Sequence, residues 1–556
     1  MSSRFRLACI GATAIPVLVA VIVVGTSVAS PARSAGVTAA ARPASSAAAT
    51  AAECGSLASL SLPNTTINTA VETPAGVVPG PFPGAPPTAV PATCRVRATV
   101  NTPGRSDQIN VFVWLPVSGW NGRFQGVGGG GYSTGSENSL AGAVAGGYAA
   151  ASTDGGHSGP SGFTGSFALD SNGRYDWALI QDFAYRSLHD LAVVGKAVSA
   201  AFYGAPASYA YWNGCSTGGR QGLSEAQRYP NDYDGILSVA PAINWQKFIP
   251  AELWPELVML RDGDVLPQCK LAAFQQAAIQ ACDTVGDGVA DGVIGDPLAC
   301  KFDPGSMVGT STPCGTITAQ DAAVVTKIIN GPQTTSGEFL WYGLTWGTSF
   351  SGLANTTPPP NGTTPSPFSI ALAHLGTWVQ QNPPVPTGTW DWTTTTYDHY
   401  NELFQQSVEL FSDVIGTDNP NLSAFKKAGG KLIVWHGLAD QLIFPQGSID
   451  YYTRVLELMG GTGRTTEFAR LFLAPGVAHC AGGPGPQPAN VLNQLVDWVE
   501  HGTAPKSLEG VIRDPGTGAV AATRPICQYP DTAAHKGNGP TTQASSFVCR
   551  PSSAGP

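Results

Sequence analysis

The sequence predicts an α/β fold, a mostly parallel sheet flanked by helices and interrupted by a large inserted lid. Three observations predict it. Short apolar runs of strand length alternate with helical patterns, as parallel strands joined by crossover helices require. One such run meets a helical pattern at Gly214-Cys215-Ser216-Thr217-Gly218, a sharp turn bounded by glycines. The alternation then stops between Asn244 and about Ala424, where Pro, Thr, Trp and Gly dominate and periodicity is poor. Strands are expected at 109–115, 123–127, 148–153, 208–213, 236–240, 431–436 and 470–474, and a helix at 217–229.

At the start of the chain, Arg4 and Arg6 precede an apolar run over 7–24 and then small residues, with cleavage expected after Ala29 or Ala35. That is the pattern of a secretory signal peptide, assigned to 1–35, and it places the protein outside the cell. A membrane anchor is the alternative, since the run is nearly long enough to span. Residues 36–52 are rich in Ala, Ser, Pro and Thr and are expected to be a disordered linker. The main domain then occupies 53–243 and 425–556, with the lid at 244–424 between its two parts. A net charge of −9 with 12 % charged residues, and no basic run after the leader, offers nothing to nucleic acid or to an anionic membrane. Of 11 cysteines, Cys9 lies in the leader, which leaves ten for an exported chain. Disulfides are their expected use.

In a Gly-x-Ser-x-Gly elbow the glycines permit a turn too tight for a Cβ, and the serine stands exposed above the sheet as a nucleophile. The helix that follows points its N-terminus at the acyl oxygen under attack, so the Thr217 amide is a natural oxyanion donor. A glycine-rich turn without chemistry is the bland reading of the same five residues. A serine nucleophile needs a base, and the base needs an orienting acid. In α/β-hydrolases these follow in the chain order Ser, then Asp or Glu, then His. Asp440 comes just after 431–436, and His479 just after 470–474. Singly they read as a turn aspartate and a loop histidine; in order and after strands they read as a triad, and the fold as an α/β-hydrolase. Cys215 precedes the proposed nucleophile and Cys480 follows the proposed base. If these two pair, their Cα atoms stand about 4.4–6.8 Å apart, which ties the elbow to the histidine loop.

These residues resemble the tannase and feruloyl esterase family of secreted α/β-hydrolases, which also includes the hydrolase of mono(2-hydroxyethyl) terephthalate. The matching stretches are Gly128-Gly-Gly-Gly131, Ser152-Thr-Asp-Gly-Gly-His157, Gly214 to Gly222, Lys431 to Pro445, Pro475 to Gly483 and Arg524-Pro-Ile-Cys527. The resemblance implies Ser216 as nucleophile, Asp440 as orienting acid, His479 as base and a Cys215–Cys480 bridge. It also implies that an amide of the 128–131 loop, assigned here to Gly130, joins Thr217 as oxyanion donor. The implied activity is hydrolysis of small aromatic, phenolic esters through an acyl-enzyme, with no organic cofactor. A hydrolase of terephthalate monoesters is one alternative, and a non-catalytic extracellular binding protein on the same fold is the other.

The family's lid carries a structural calcium ion, and the stretch from Cys282 to Cys300 resembles that site. Carboxylates at four-residue spacing with glycines between them suit a hard cation, which takes about six to eight oxygens. By resemblance the ligands are Asp283, Asp287 and Asp291 with the carbonyls of Val289 and Val293. The family spaces its first two aspartates by two residues and this chain by three, so Asp283 departs from the pattern. An acidic turn closed by a Cys282–Cys300 bridge is the other reading. The remaining cysteines pair most simply as Cys54 with Cys94, Cys527 with Cys549 and, by elimination, Cys269 with Cys314, though spacing alone leaves other pairings open. Phe339, Trp341, Tyr342, Trp346, Trp378, Trp390 and Trp392 either wall a pocket for a flat acyl group or form the lid's own core. His157, His189, His399 and His436 read as structural, with no partner evident in the sequence. Asn64, Asn355, Asn361 and Asn421 lie in glycosylation sequons.

Overall fold

A central sheet of nine strands organises the computed structural model, which describes residues 51–81, 85–105, 107–158, 161–357, 363–382 and 390–552. The expected signal peptide, the linker up to residue 50 and the Asn361 sequon lie outside the described residues. The strands are β1 (Thr65–Thr73), β2 (Thr93–Asn101), β3 (Gln108–Pro116), β4 (Arg123–Val127), β5 (Ala149–Thr153), β6 (Tyr209–Cys215), β7 (Gly235–Val239), β8 (Lys431–Gly437) and β9 (Ala469–Ala474). Their order in the sheet is β1-β2-β3-β5-β4-β6-β7-β8-β9. The pairs β1/β2, β2/β3 and β3/β5 are antiparallel. From β5 onward every pair is parallel.

The parallel strands are covered on both faces, which is why they read as continuous apolar runs. Successive side chains still separate by face. Trp212, Ile236, Leu432 and Val434 enter one core, together with Leu191 and Val198 of α1 (Ser187–Tyr203). Their chain neighbours Tyr211, Leu237, Ile433 and Trp435 enter the other, with Leu495 and Trp498 of a late helix, Val491–His501. Each such side chain removed from water contributes about 1.5–3 kcal/mol, so a register slip by one residue would exchange the two cores at prohibitive cost. The sequence reading missed β1 and β2. β1 is Thr-rich, lies at the sheet edge and buries no residue fully, so it carries no apolar alternation to detect. Cys54 in the short helix Ala51–Ser56 bridges to Cys94 on β2, and that helix takes in the last two residues of the segment expected to be linker.

Between β7 and β8 the chain is helical, where the sequence suggested no regular elements. The helices are α2 (Thr217–Arg228, between β6 and β7), then α3 (Trp245–Glu252), α4 (Trp254–Arg261), α5 (Gln268–Cys282), α6 (Ala319–Asn330) and α7 (Tyr397–Ile415). α3 is buried along nearly its whole length, and a helix buried all round has no polar stripe to reveal its period. A third core runs through this segment and reaches Tyr132, Phe167 and Phe183 on the sheet loops below. Trp341, Trp346 and Trp378 are buried within it, so they are lid core and not an open aromatic wall. Phe339 by contrast is 57 % exposed. α8 (Pro445–Met459) lies between β8 and β9, and after β9 come α9 (Val491–His501) and an antiparallel sheet of Gln487–Ala489, Ser507–Arg513 and Val520–Cys527. Disulfides join Cys54–Cys94, Cys215–Cys480, Cys269–Cys314, Cys282–Cys300 and Cys527–Cys549.

Candidate active site

Ser216 stands between β6 and α2 with φ 62° and ψ −124°, a conformation that costs a non-glycine residue about 1–3 kcal/mol. The turn is held from both sides. The Ser216 amide donates to the Val239 carbonyl at 3.0 Å, and the Ser216 carbonyl accepts from Arg220 at 3.0 Å and Ala242 at 3.1 Å. A Cβ on Gly214 would sit 2.5 Å from the Gly218 backbone, which explains the two glycines of the elbow together.

The 128–131 loop after β4 is clamped to α2. Gly218 donates its amide to the Gly129 carbonyl at 3.0 Å, and Thr217 Oγ1 donates to the Gly131 carbonyl at 2.6 Å. Gln221 grips the loop at both ends, its Oε1 accepting from the Gly129 amide at 3.1 Å and its Nε2 donating to the Thr134 carbonyl at 2.9 Å. The Gly129 amide is thereby committed. Gly128 lies so near the helix that a Cβ there would be 2.5 Å from the Gly218 Cα. Gly130 pairs with Ser133 in an isolated bridge, and no atom would stand within 4 Å of a Cβ built on it. Thr217 is the first residue of α2, where amides have no partner within the helix. Behind the loop, Tyr132 packs against Phe167, Phe183, Trp245 and Trp378, and its hydroxyl meets His374 Nδ1 at 3.3 Å. Gln221 and Tyr132 were not singled out from sequence; the run Gly218-Gly-Arg-Gln-Gly222, polar yet buried, was the available signal.

Asp440 follows β8 and is fully buried. Its Oδ1 accepts the Leu442 and Ile443 amides, each at 2.9 Å. Its Oδ2 lies 2.8 Å from His479 Nδ1 and 3.0 Å from His436 Nε2. Burial alone would raise its affinity for a proton, but the charge on His479 and the hydrogen bonds from His436 and His479 together hold it well below the usual carboxylate range. His479 is fixed along its backbone by Gln441, whose Oε1 accepts the His479 amide at 3.0 Å. Its ring is therefore turned with Nδ1 toward the carboxylate and Nε2 left for a reacting proton. The Cys215–Cys480 bridge, with Cα atoms 5.9 Å apart, ties the residue before Ser216 to the residue after His479. Cys480 takes φ 63°, and Ser216, the neighbour of Cys215, takes φ 62°. The histidines that seemed partnerless acquire partners: His189 meets Asp232 at 2.6 Å, His157 stacks on Phe167, and His436 enters the carboxylate's shell. On α3, Glu252 is 1 % exposed; burial, then the charge of Asp440, pushes its carboxyl well up.

The loop closed by Cys282–Cys300 holds the three expected aspartates. Asp283 accepts the Asp291 and Gly292 amides, Asp287 the Val289 amide and Asp291 the Val293 amide. Burial first, with the charges of Asp291 and Asp283 adding to it, pushes Asp287 up to about 6. Arg524 on the C-terminal sheet reaches Asp291 Oδ2 at 2.8 Å. Among the described residues no three side chains of His, Cys, Asp or Glu converge on a common metal position. The donor chemistry is all oxygen and suits a hard cation, with one carboxylate already shared with Arg524.

Among the described residues, no helix is long and apolar enough to cross a membrane. The family model described as "Tannase and feruloyl esterase" matches residues 94–550. A protein of Arthroderma benhamiae described as a probable feruloyl esterase is 43 % identical over 464 residues, covering 82 % of this chain and 85 % of that one. The mono(2-hydroxyethyl) terephthalate hydrolase of Piscinibacter sakaiensis is 31 % identical over 525 residues, covering 83 % and 85 %. The solved structure of tannin acyl hydrolase from Aspergillus niger superposes with a TM-score of 0.80 at 27 % identity, over 91 % of this chain and 96 % of that one.

Proposed function

The chain belongs to the tannase and feruloyl esterase family, a family of carboxylic ester hydrolases, and on that premise we propose that Ser216, His479 and Asp440 cleave phenolic esters outside the cell. The observation that carries the reading is the Asp440–His479 hydrogen bond of 2.8 Å, covalently tied to the strained Ser216 elbow. His479 Nε2 takes the Ser216 proton, and the serine oxygen attacks the ester carbonyl. The oxyanion rests on the amides of Thr217 and Gly130. His479 returns the proton to the departing alcohol, leaving an acyl-serine. Water, deprotonated by the same ring, releases the free acid. Asp440 stabilises the imidazolium formed in each half without taking its proton.

The test is hydrolysis of methyl gallate, methyl ferulate, methyl p-coumarate, mono(2-hydroxyethyl) terephthalate and ethyl butyrate by the secreted protein. Turnover on hydroxylated aromatic acids is expected to exceed that on ethyl butyrate by about tenfold or more, the scale of a few extra favourable contacts in a fitted pocket. Equal rates on ethyl butyrate would sink the aromatic assignment. Five disulfides and the N-terminal leader support secretion.

The lid loop is read as a structural calcium site of Asp283, Asp287, Asp291 and the carbonyls of Val289 and Val293. Partial burial of Asp287 and Asp291, with the charges of neighbouring aspartates adding to it and Arg524 relieving it in part, supports it. Chelation with EDTA is expected to lower the melting temperature by several degrees, and calcium to restore it where magnesium does not. A melting curve indifferent to both would leave the loop as an acidic turn.

A further inference from the structure

His436 is buried completely at the end of β8, the strand that delivers Asp440. Its Nε2 lies 3.0 Å from Asp440 Oδ2 and 3.1 Å from the Ile443 carbonyl. Both are acceptors, so Nε2 carries a proton. On the other side of the ring, Ser448 Oγ of α8 lies 2.8 Å from Nδ1. One oxygen of Asp440 thus receives two imidazole donors, one from the catalytic base and one from a histidine that touches no reacting atom.

We propose that His436 is a positioning residue of the ester hydrolysis, acting through Asp440: it fixes the carboxylate's rotamer and divides the negative charge that Oδ2 presents to His479. The proposal rests on the triad reading above. The other oxygen, Oδ1, is held by two amides of its own loop, so without His436 the carboxylate retains a pivot at Oδ1 and loses one of two restraints at Oδ2. The hydrogen-bond chain then runs Ser448, His436, Asp440 and His479. No proton crosses from His436 to Asp440 in any step. The groups that face this assembly are Asp440 and the Ile443 carbonyl from the loop after β8, Ser448 from α8, His479 from the loop after β9, and Glu252 from α3, whose carboxyl is pushed up by burial and by the charge of Asp440.

A carboxylate deprived of one donor concentrates its charge on the remaining one, so it pairs more strongly with a protonated imidazole. The acid limb of kcat/KM, which reports loss of the free base, should then move to higher pH.

The test measures kcat, KM and the pH profile with methyl ferulate and 4-nitrophenyl acetate for the wild-type chain, His436→Leu, His436→Gln and Ser448→Ala. Leucine fills the space without a donor; glutamine returns an N–H near the place of Nε2. His436→Leu is expected to lose about ten- to a hundred-fold in kcat, the cost of one hydrogen bond to a charged group, with KM within about twofold. Its acid limb should move upward, and His436→Gln should recover most of both. Should the leucine variant fail to fold, Ser448→Ala decides, with a smaller fall in kcat and a shift of the same sign. Unchanged kcat and pH profile in the folded variants would overturn the proposal, as would a glutamine variant no better than leucine. Absence of Ser216-dependent turnover in the wild-type chain would instead overturn the triad reading and this proposal with it.

Discussion

Ser216→Ala is expected to lower kcat by about 10,000-fold or more, while secretion, melting temperature and far-ultraviolet circular dichroism stay as in the wild-type chain. The size follows from the role: without Oγ no acyl-enzyme forms, and His479 has no proton to take. Only the oxyanion amides and substrate binding remain, worth a small part of the total. The fold should not notice. Alanine meets the same backbone demand at φ 62°, and the hydrogen bonds that hold the turn come from the Ser216 backbone. Methyl ferulate turnover by purified protein checks this, with an active-site serine probe labelling only the wild-type chain. Residual activity within tenfold of wild type would remove Ser216 from the mechanism.

Asp440→Asn should be nearly as severe, about 10,000-fold in kcat, though the change is one atom for another. Oδ1 accepts two backbone amides at 2.9 Å, so the amide oxygen of asparagine must occupy that place. Its NH2 group is then forced toward His436 Nε2 and His479 Nδ1, where two donors already stand. His479 can escape only by turning or by moving its proton to Nε2, and an Nε2–H cannot accept from Ser216. KM should change little, because the carboxylate does not reach the substrate. A loss under a hundredfold, measured on the same ester, would mean that His479 is oriented by something else. The melting temperature should also fall, since a buried donor facing donors is an unsatisfied polar group.

Much of this site could be read from residue order. The elbow, the acid and the base each sit where a strand ends, and the elbow's glycines, the chain order and the adjacent cysteines separated them from the other serines, aspartates and histidines. What the sequence hid has physical causes. Gln221 lies within a helix whose apolar face is scarcely apolar, because α2 buries glycines, Arg220 and Glu225 against neighbouring loops. His436 looked partnerless because its partners come from a turn four residues on and from a helix beyond it, contacts that no period encodes. α3 and α4 escaped for a related reason. α4 buries Pro255, Glu256 and Leu257 in succession, so hydropathy along it tracks neither 3.6 nor 2 residues. β1 escaped because an edge strand of threonines is held by backbone pairing to β2 more than by burial.

The Cys215–Cys480 bridge spans 265 positions of sequence, and the entire inserted lid lies inside that loop. A protease that nicks the lid therefore makes two fragments that stay sutured beside the nucleophile and the base. Scission of the segment between β7 and β8 thus cannot release either half of the catalytic centre.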